Sequence, residues 1–455
     1  MANIGKKYVQ VHLYRRWREK WLPPHQYGTF HNIYGGAGIL ICGHGVKVAF
    51  GILTYGVIAR GLGTKQFGIF VLIQAFVNTM DRVLNFQSRQ AMIAYGAQWF
   101  ETKRAQEFTH LFRFLLRIDT IVAFVATLCA TLILSVTGTY LNWPPPVYWS
   151  ALVYCLVLPL NITGAPAGAL RLFNRFPLIS TIAGCSGAAK LAGTLGVYLV
   201  HGDIPGYVAV WVVVEACERL VTLGLGWREL KRQKMFEVID HATHLSASTH
   251  PGVWKFLWSS NLESMVRLLF QELDVFIVAW LLNLTAVAAY KLIKEVATVV
   301  NGTADTIHQS SYPAFAALAV NRQFAEMREY LGTMRAVGLI LSGATISLYY
   351  IIGAGFIHFV FGAHYAYLFY PLLVALLGPL IWLSFSGYAS ATYALGLVPK
   401  LVVICFVAST TSVICHIILT SRFGIVGAAW SYASYFIVWL LCSSWVVERE
   451  LGAKL

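Results

Sequence analysis

Charged side chains are scarce in this chain: they make up 12% of its 455 residues, about half the usual share in a soluble domain. So few charges could not cover the surface of a water-soluble protein of this length, which excludes a soluble enzyme, a disordered chain and a collagen-like fibre. No CxxC pair occurs. The eight cysteines (42, 129, 155, 185, 217, 405, 415 and 442) all fall inside apolar runs. They read as small apolar packing residues, with neither a disulfide frame nor a metal site. The glycines near 35–38 follow no strand, so a dinucleotide loop is excluded and no cofactor is expected. The N-terminus is basic and aromatic and lacks an apolar leader core, which predicts no cleavable signal peptide.

What the chain has in excess is apolar length. Its residues are 58% hydrophobic and its mean hydropathy is +0.64. Apolar runs reach 20 residues or more, about twice the length of an outer-membrane barrel strand. The class that remains is an all-α polytopic membrane protein. A helix needs about 20 apolar residues to cross the hydrocarbon core. Twelve such spans are predicted, at 38–59, 67–88, 112–137, 148–170, 177–200, 205–227, 254–281, 286–311, 334–360, 366–395, 398–420 and 424–446. Spans two, seven and eight carry polar residues.

Net charge is +14. In a polytopic protein this excess marks loops held in the cytoplasm, so nucleic acid is not an expected partner. With both termini cytoplasmic, that side holds most of the loop cations. Among them are Lys6, Arg15, Arg89, Lys103, Arg104, Arg171, Arg175, Arg228, Lys231, Lys234, Arg322, Lys400 and Lys454. The other side holds only Arg60, Lys65 and Arg422. The loops on that other side are very short, so no catalytic domain fits there. Residues 1–37 form a basic tail in which Val9, Leu13, Trp17 and Trp21 recur every four residues among arginines. That pattern suits a helix lying on anionic phospholipids. Residues 231–253 read as a cytoplasmic linker, and its His241, His244 and His250 read as solvated loop residues.

Three junctions recur at a near-constant offset. Residues 62–70, containing GTKQFGIF, face 282–290, containing NLTAVAAY, at offset 220. Asn174-Arg175-Phe176-Pro177 matches Gly396-Leu397-Val398-Pro399, and the stretch 202–206 matches 423–427. The chain thus divides into two six-helix bundles of like orientation, 38–230 and 254–455. They are related by a pseudo-two-fold axis along the membrane normal, with a central cavity between them.

The segment Ala59-Arg60-Gly61-Leu62-Gly63-Thr64-Lys65-Gln66-Phe67-Gly68 resembles the first-hairpin signature of the polysaccharide and O-antigen flippases. These belong to the multidrug/oligosaccharidyl-lipid/polysaccharide (MOP) exporter superfamily. The stretch 84–96, LNFQSRQAMIAYG, is similar to that family's next motif. Asp274 with Tyr290, and the stretch 423–429 before the last span, fit its second-half pattern. The resemblance covers about residues 36–447, and the basic tail lies outside it. It implies a flippase, not an enzyme, that moves an undecaprenyl-pyrophosphate-linked oligosaccharide across the bacterial inner membrane by alternating access. It also implies a polysaccharide polymerase as a neighbour.

Intramembrane charges are costly and therefore candidate functional residues. For a polyanionic pyrophosphate the candidates are Lys47, Lys190, Lys294, Lys291, Arg267 and Arg82, which would replace its lost hydration by charge-assisted hydrogen bonds. Several shared cations along an electropositive chamber suit release better than one tight clamp. For ion coupling the candidates are Asp274, Glu263, Glu295 and Asp305. Packing or topology is the competing role, because Glu215 with Arg219, Glu263 with Arg267 and Lys291 with Glu295 are spaced i,i+4 on one helical face. Lys47, Lys190 and Lys294 have no opposite charge at those spacings. Asn78, Asn85 and Asn261 could bind sugar hydroxyls or bridge helices, and His44 reads as a packing residue. Two other functions compete. A drug or metabolite antiporter of the same superfamily would call for an acidic cavity. A membrane-embedded polysaccharide polymerase or ligase would call for a large periplasmic loop.

Overall fold

The computed structural model describes residues 27–83, 86, 88–140, 144–235 and 253–454. Among them every regular element is helical. This is what a lipid environment demands, since a helix satisfies its own backbone hydrogen bonds. In chain order the helices are α1 (Tyr27–Val83), α2 (Ser88–Glu101), α3 (Ala105–Tyr140), α4 (Pro145–Cys155), α5 (Gly164–Leu172) and α6 (Phe176–Leu199). They continue with α7 (Ile204–Arg232), α8 (Val253–Leu281), α9 (Leu284–Val320), α10 (Phe324–Val360), α11 (Phe369–Ala394) and α12 (Val398–Lys454).

Six helical stretches are each long and apolar enough to cross a membrane, and a seventh is the pair α4–α5, bent by 47°. Two of the six are hairpins. In α1 the helix is interrupted at Gly63 (φ 70°, ψ 173°), and in α12 at Gly424 (φ 59°, ψ −135°). Both positions lie in backbone space open essentially to glycine alone. Across the first turn the Tyr55 hydroxyl donates to Gln74 Oε1 at 2.9 Å, and across the second the Ser412 hydroxyl donates to the Ser431 carbonyl at 2.9 Å. The arms therefore run antiparallel. The three remaining long helices, α7, α8 and α9, are long enough to span but carry more charges and polar groups. Counting both arms of each hairpin, the described helices make twelve passes, six on each side of residues 236–252.

The turns sort onto two ends. At one end lie Gly63, residues 200–203, residues 282–283, residues 361–362 and Gly424. At the other, Arg175 pairs with Glu229 at 2.9 Å, Arg328 with Glu448 at 3.1 Å and Lys400 with Glu450 at 3.5 Å. Those contacts tie α6 to α7, α10 to the last turns of α12, and the two ends of α12 to each other. Lys103, Asn174, Lys234 and Arg322 all sit at this basic end with φ between 53° and 55°. Each closes a helix: the amide after it reaches back five residues, as from Gln323 to the Leu318 carbonyl at 2.9 Å. Three of the four are cations, which suit the negative end of a helix dipole.

Helix α1 begins at Tyr27, so part of the expected tail is helical; residues 1–26 lie outside the described set, as do 236–252 with the three linker histidines. One expectation is revised. The span expected at 148–170 is not continuous. It breaks at 161–163, after Pro159 and before Pro166, since proline removes a helical hydrogen bond. The freed backbone groups are met by side chains. Arg219 donates to the Val157 carbonyl at 2.9 Å, and the Ala165 amide donates to Asp119 Oδ2 at 3.3 Å. In lipid, groups left open by a break must find such partners.

The two bundles meet along α1 and α8–α9. Near the Gly63 end the approach is backbone to backbone: a Cβ on Gly68 would lie 1.9 Å from the Leu284 carbonyl, and one on Gly56 2.6 Å from that of Val360. A single buried cluster there joins Tyr55, Phe67, Phe70 and Trp211 of the first bundle to Val287, Ala288, Tyr290 and Ile293 of the second. Near the basic end Phe86 stacks on Trp254 at 6.1 Å and meets Trp258 edge-on at 5.1 Å.

Candidate functional site

The ionisable residues inside the first bundle are arranged as rungs between helices. Lys190 lies on α6, about 14 Å from its end at the 1.5 Å rise per residue, and its Nζ is 2.8 Å from Glu215 of α7. The Tyr154 hydroxyl of α4 donates to the same carboxylate at 3.2 Å. One turn further toward the basic end, Lys47 of α1 pairs with Glu218 of α7 at 3.1 Å. Ser186 of α6 donates to the second oxygen of Glu218. Deeper still, Arg219 pairs with Asp81 at 3.3 Å, and Asn161 from the break in α4–α5 donates to the other oxygen of Asp81 at 2.6 Å.

Aromatic rings link these rungs to the second bundle. The Lys190 ammonium lies 5.0 Å from the Trp211 ring centre, and Trp211 packs on Tyr55 at 5.8 Å. The far face of this pathway is Lys291 of α9, whose ammonium is 4.5 Å from the Tyr55 ring. Lys291 pairs with Glu295 on its own helix at 3.1 Å, as the i,i+4 spacing predicts. Arg82 reaches across the bundles to Glu272 of α8 at 3.2 Å.

In the second bundle the centre is Asp274, which is 5% exposed. Lys294 donates to both its oxygens at 2.9 Å, and the Tyr290 hydroxyl donates at 2.8 Å. With its proton committed there, the Tyr290 oxygen accepts from His416 Nε2 at 3.2 Å, leaving His416 Nδ1 to accept from Thr420 at 3.3 Å. Asp305 accepts from the Trp382 indole at 2.8 Å.

The structure therefore brings five of the six candidate cations against carboxylates, four of them from another helix. Counting along a single helix could not show this. Lys47, Lys190 and Lys294 lack a partner on their own helix and find one across a packing seam, while Glu215 and Arg219 go to Lys190 and Asp81. Among the described residues, these five candidate cations stand in matched pairs. The side chains of Arg267, Glu263 and His44, and residue Asn85, lie outside the described set. Asn261 is buried, and its side-chain oxygen has no hydrogen-bond partner. Sequence reasoning passed over Glu218, Glu272, Trp211, His416 and Asp119. Glu218 carried a usable signal, a carboxylate inside a predicted span. Asp119 lies 3% exposed in α3 with one oxygen unpartnered. With Asp81 and Asn161 it lines a cavity of about 10 Å³, near the minimum for one water.

The arrangement can hold an anion by partner exchange. An ammonium already paired with a carboxylate can pass to a phosphate oxygen without being left bare, while the carboxylate it leaves needs a proton or another partner, because a buried charge without one is costly. Exposure ranks the candidates: the side chains of Lys47 and Arg82 are 40% and 44% exposed, against 17–24% for Lys190, Lys291 and Lys294.

The profile of a family described as polysaccharide biosynthesis protein matches residues 33–319. The chain is 23% identical over 290 residues to the inner membrane protein YghQ of Escherichia coli K12, covering 63% of this chain and 81% of that one. Among solved structures it shares its fold with a point mutant of the Vibrio cholerae MATE transporter VcmN. The TM-score is 0.65 at 13% identity, over 93% of this chain and 97% of that one. It shares the fold equally with the lipid II flippase MurJ in an inward closed conformation. There the TM-score is 0.66 at 12% identity, over 90% of this chain and 87% of that one.

Proposed function

The chain belongs to the polysaccharide biosynthesis protein family, and from that premise we propose that it is a flippase of the bacterial inner membrane. Its cargo is an undecaprenyl-pyrophosphate-linked oligosaccharide, an O-antigen or exopolysaccharide repeat unit, carried by alternating access with both termini in the cytoplasm. The observation that carries this reading is the family match, laid over a two-bundle transporter fold that a lipid II flippase also has. A coarser statement rests on fold and family together: this is a polytopic transporter of the MOP type.

The paired cations supply a mechanism. The bundles touch backbone to backbone at the Gly63 end, so that end is the closed gate of this state. On the opposite side Lys47 and Arg82 are the cations an entering pyrophosphate meets first. It displaces Glu218 from Lys47, then Glu215 from Lys190, while the sugar lies against Trp211 and Tyr55. Lys291 and Lys294 take it up on the second bundle, and Arg267 remains a candidate on sequence grounds. Each displaced carboxylate is a site where a proton can join, so transport and coupling share the same pairs; Asp274, Glu263, Glu295 and Asp305 are the coupling candidates. Release follows when the carboxylates regain their partners. The tail at 1–37 rests on anionic phospholipids, and a polysaccharide polymerase receives the product.

Antiport of a cationic drug or metabolite is the second reading, and Asp81, Glu215 and Glu218 favour it, since a lone cation could displace the lysines. Glycan-export complementation separates the two. Lys47→Ala and Lys190→Ala are expected to lose at least about tenfold in export, the equivalent of one lost charge-assisted contact, while inserting normally. The swap of Lys47→Glu with Glu218→Lys keeps the pair and tests position. Undiminished export with both lysines changed removes them from the pathway, whereas no export by the wild type, together with efflux of a cationic dye, supports the antiporter.

A further inference from the structure

Behind the Lys294–Asp274 pair, the second bundle holds a chain of hydrogen bonds that the exchange of lysine partners leaves untouched. Asp274 of α8 accepts from Lys294 and from the Tyr290 hydroxyl, both on α9. The Tyr290 oxygen accepts from His416 Nε2 of α12 at 3.2 Å, and His416 Nδ1 accepts from Thr420 at 3.3 Å. Asp274, Tyr290, His416 and Thr420 are all buried. The imidazole stands edge-on to the Tyr290 ring, with 5.6 Å between their centres. Tyr432 of α12 is the further titratable group beside Tyr290, and its hydroxyl accepts from Asn301 at 2.8 Å.

The first bundle offers a contrast. There too a carboxylate, Glu215, takes a lysine and a tyrosine hydroxyl, from Lys190 and Tyr154. Among the described residues no other side chain hydrogen-bonds to the Tyr154 oxygen. The extension from tyrosine to histidine is particular to the second bundle.

A hydroxyl and an imidazole each donate at one point and accept at another, so such a chain can run in either direction. As it stands, every donor points toward Asp274, and Lys294 balances the carboxylate charge. When the ammonium leaves, a buried charge without a partner remains, which is costly. One proton removes it. The Tyr290 proton passes to Asp274 Oδ2, and the Nε2 proton of His416 passes to the Tyr290 oxygen. His416 Nδ1 takes the Thr420 proton, and water returns one to Thr420. Every hydrogen bond is then reversed: Asp274 donates to Tyr290, Tyr290 to Nε2, and Nδ1 to Thr420. The net change is one proton gained, equal to the charge that Lys294 carried away. When Lys294 returns, the proton leaves by the same route. Thr420 lies one turn, about 6 Å along the helix, from Gly424, and Ser421, Arg422 and Phe423 between them are exposed. The chain thus runs toward the Gly63 end, which is closed in this state.

We propose that Tyr290 and His416 form a reversible proton relay that neutralises Asp274 whenever Lys294 leaves it, which makes the proton the coupling ion of the second bundle. The departure of Lys294 to a phosphate oxygen rests on the flippase reading; the relay itself does not.

The test removes the lysine directly. In full-length Lys294→Met and Lys294→Gln in detergent, infrared spectra are expected to show the carbonyl band of a protonated Asp274. That band should be missing from wild type and should vanish when Asp274→Asn is added. In deuterium oxide it should shift promptly. Adding His416→Gln, which keeps a hydrogen-bonding side chain that does not pass protons, should slow the shift about a hundredfold or more. Tyr290→Phe, which cuts the chain at its middle, should slow it likewise. An Asp274 that stays ionised without Lys294, or exchange as fast with His416→Gln and Tyr290→Phe as without them, overturns the relay. Wild-type vesicles that fail to move a fluorescent undecaprenyl-pyrophosphate oligosaccharide would overturn the flippase reading instead, while the infrared outcome still decides the relay.

Discussion

An ionised side chain deep in a membrane protein survives when something of opposite sign is held against it. Lys294 and Asp274 show this most completely, because the carboxylate takes two bonds from the lysine and one from Tyr290. Removing one member should cost more than removing both. Asp274→Asn leaves the Lys294 ammonium buried against a neutral amide, and about 3 kcal/mol of stability should be lost. Combining Asp274→Asn with Lys294→Met removes the stranded charge and should recover much of that loss. Thermal unfolding of the single and double variants in detergent checks it, and equal losses would contradict the pairing. The lysines themselves were legible in the sequence, as charges inside apolar runs. Their partners were not, because a carboxylate on another helix leaves no trace at i±3 or i±4; Glu218 opposite Lys47 and Glu272 opposite Arg82 became visible only once the helices were packed.

Among the helices, the two hairpins and the broken span do most to shape the interior. Gly63 and Gly424 hold backbone angles that a side chain resists, so Gly424→Ala should destabilise the last hairpin by about 1–3 kcal/mol, read as a lowered melting temperature. Gly424 adds no tertiary contact within 4 Å that would confuse the result. The number of passes and the helix ends near Gly63 were legible, since apolar length and turn residues fix them, whereas at the basic end α3, α9 and α10 start or stop at 105, 320 and 324, well beyond the expected 112, 311 and 334. The break in α4–α5 was signalled by Pro159 and Pro166 and yet read as a continuous span, because overall apolarity outweighs a local interruption. Its consequence depends on tertiary structure: Arg219 and Asp119 satisfy the open backbone. Arg219→Met should therefore lose stability even with Asp81→Asn present, because the Val157 carbonyl also loses its donor. Full recovery in that double variant would show that the ion pair alone mattered.

Taken together, the two bundles meet through glycines at one end and aromatic rings at the other. A methyl group at Gly68 cannot coexist with the Leu284 carbonyl at this approach. Gly68→Ala should therefore disfavour the state closed at the Gly63 end. Spin labels placed on the two bundles at that end should report longer distances than in wild type, and unchanged distances would contradict the assignment of the gate. The repeat at offsets of 220–222 made the two-bundle plan legible from three loop junctions. The contents of the interior were less so. Five of the six candidate cations stand against carboxylates, and the family and fold, not charge count, carry the functional conclusion.

Whether paired lysines pass a pyrophosphate-linked sugar between leaflets is decided by reconstitution. Vesicles would hold a fluorescent undecaprenyl-pyrophosphate oligosaccharide, with leaflet sidedness read by a membrane-impermeant quencher. Protein-dependent movement between leaflets is expected, falling at least about tenfold when Lys47 and Lys190 are both changed to alanine, the loss of one charge-assisted contact or more. Movement that is absent for wild type, or unchanged in the double variant, would contradict the lysine pathway.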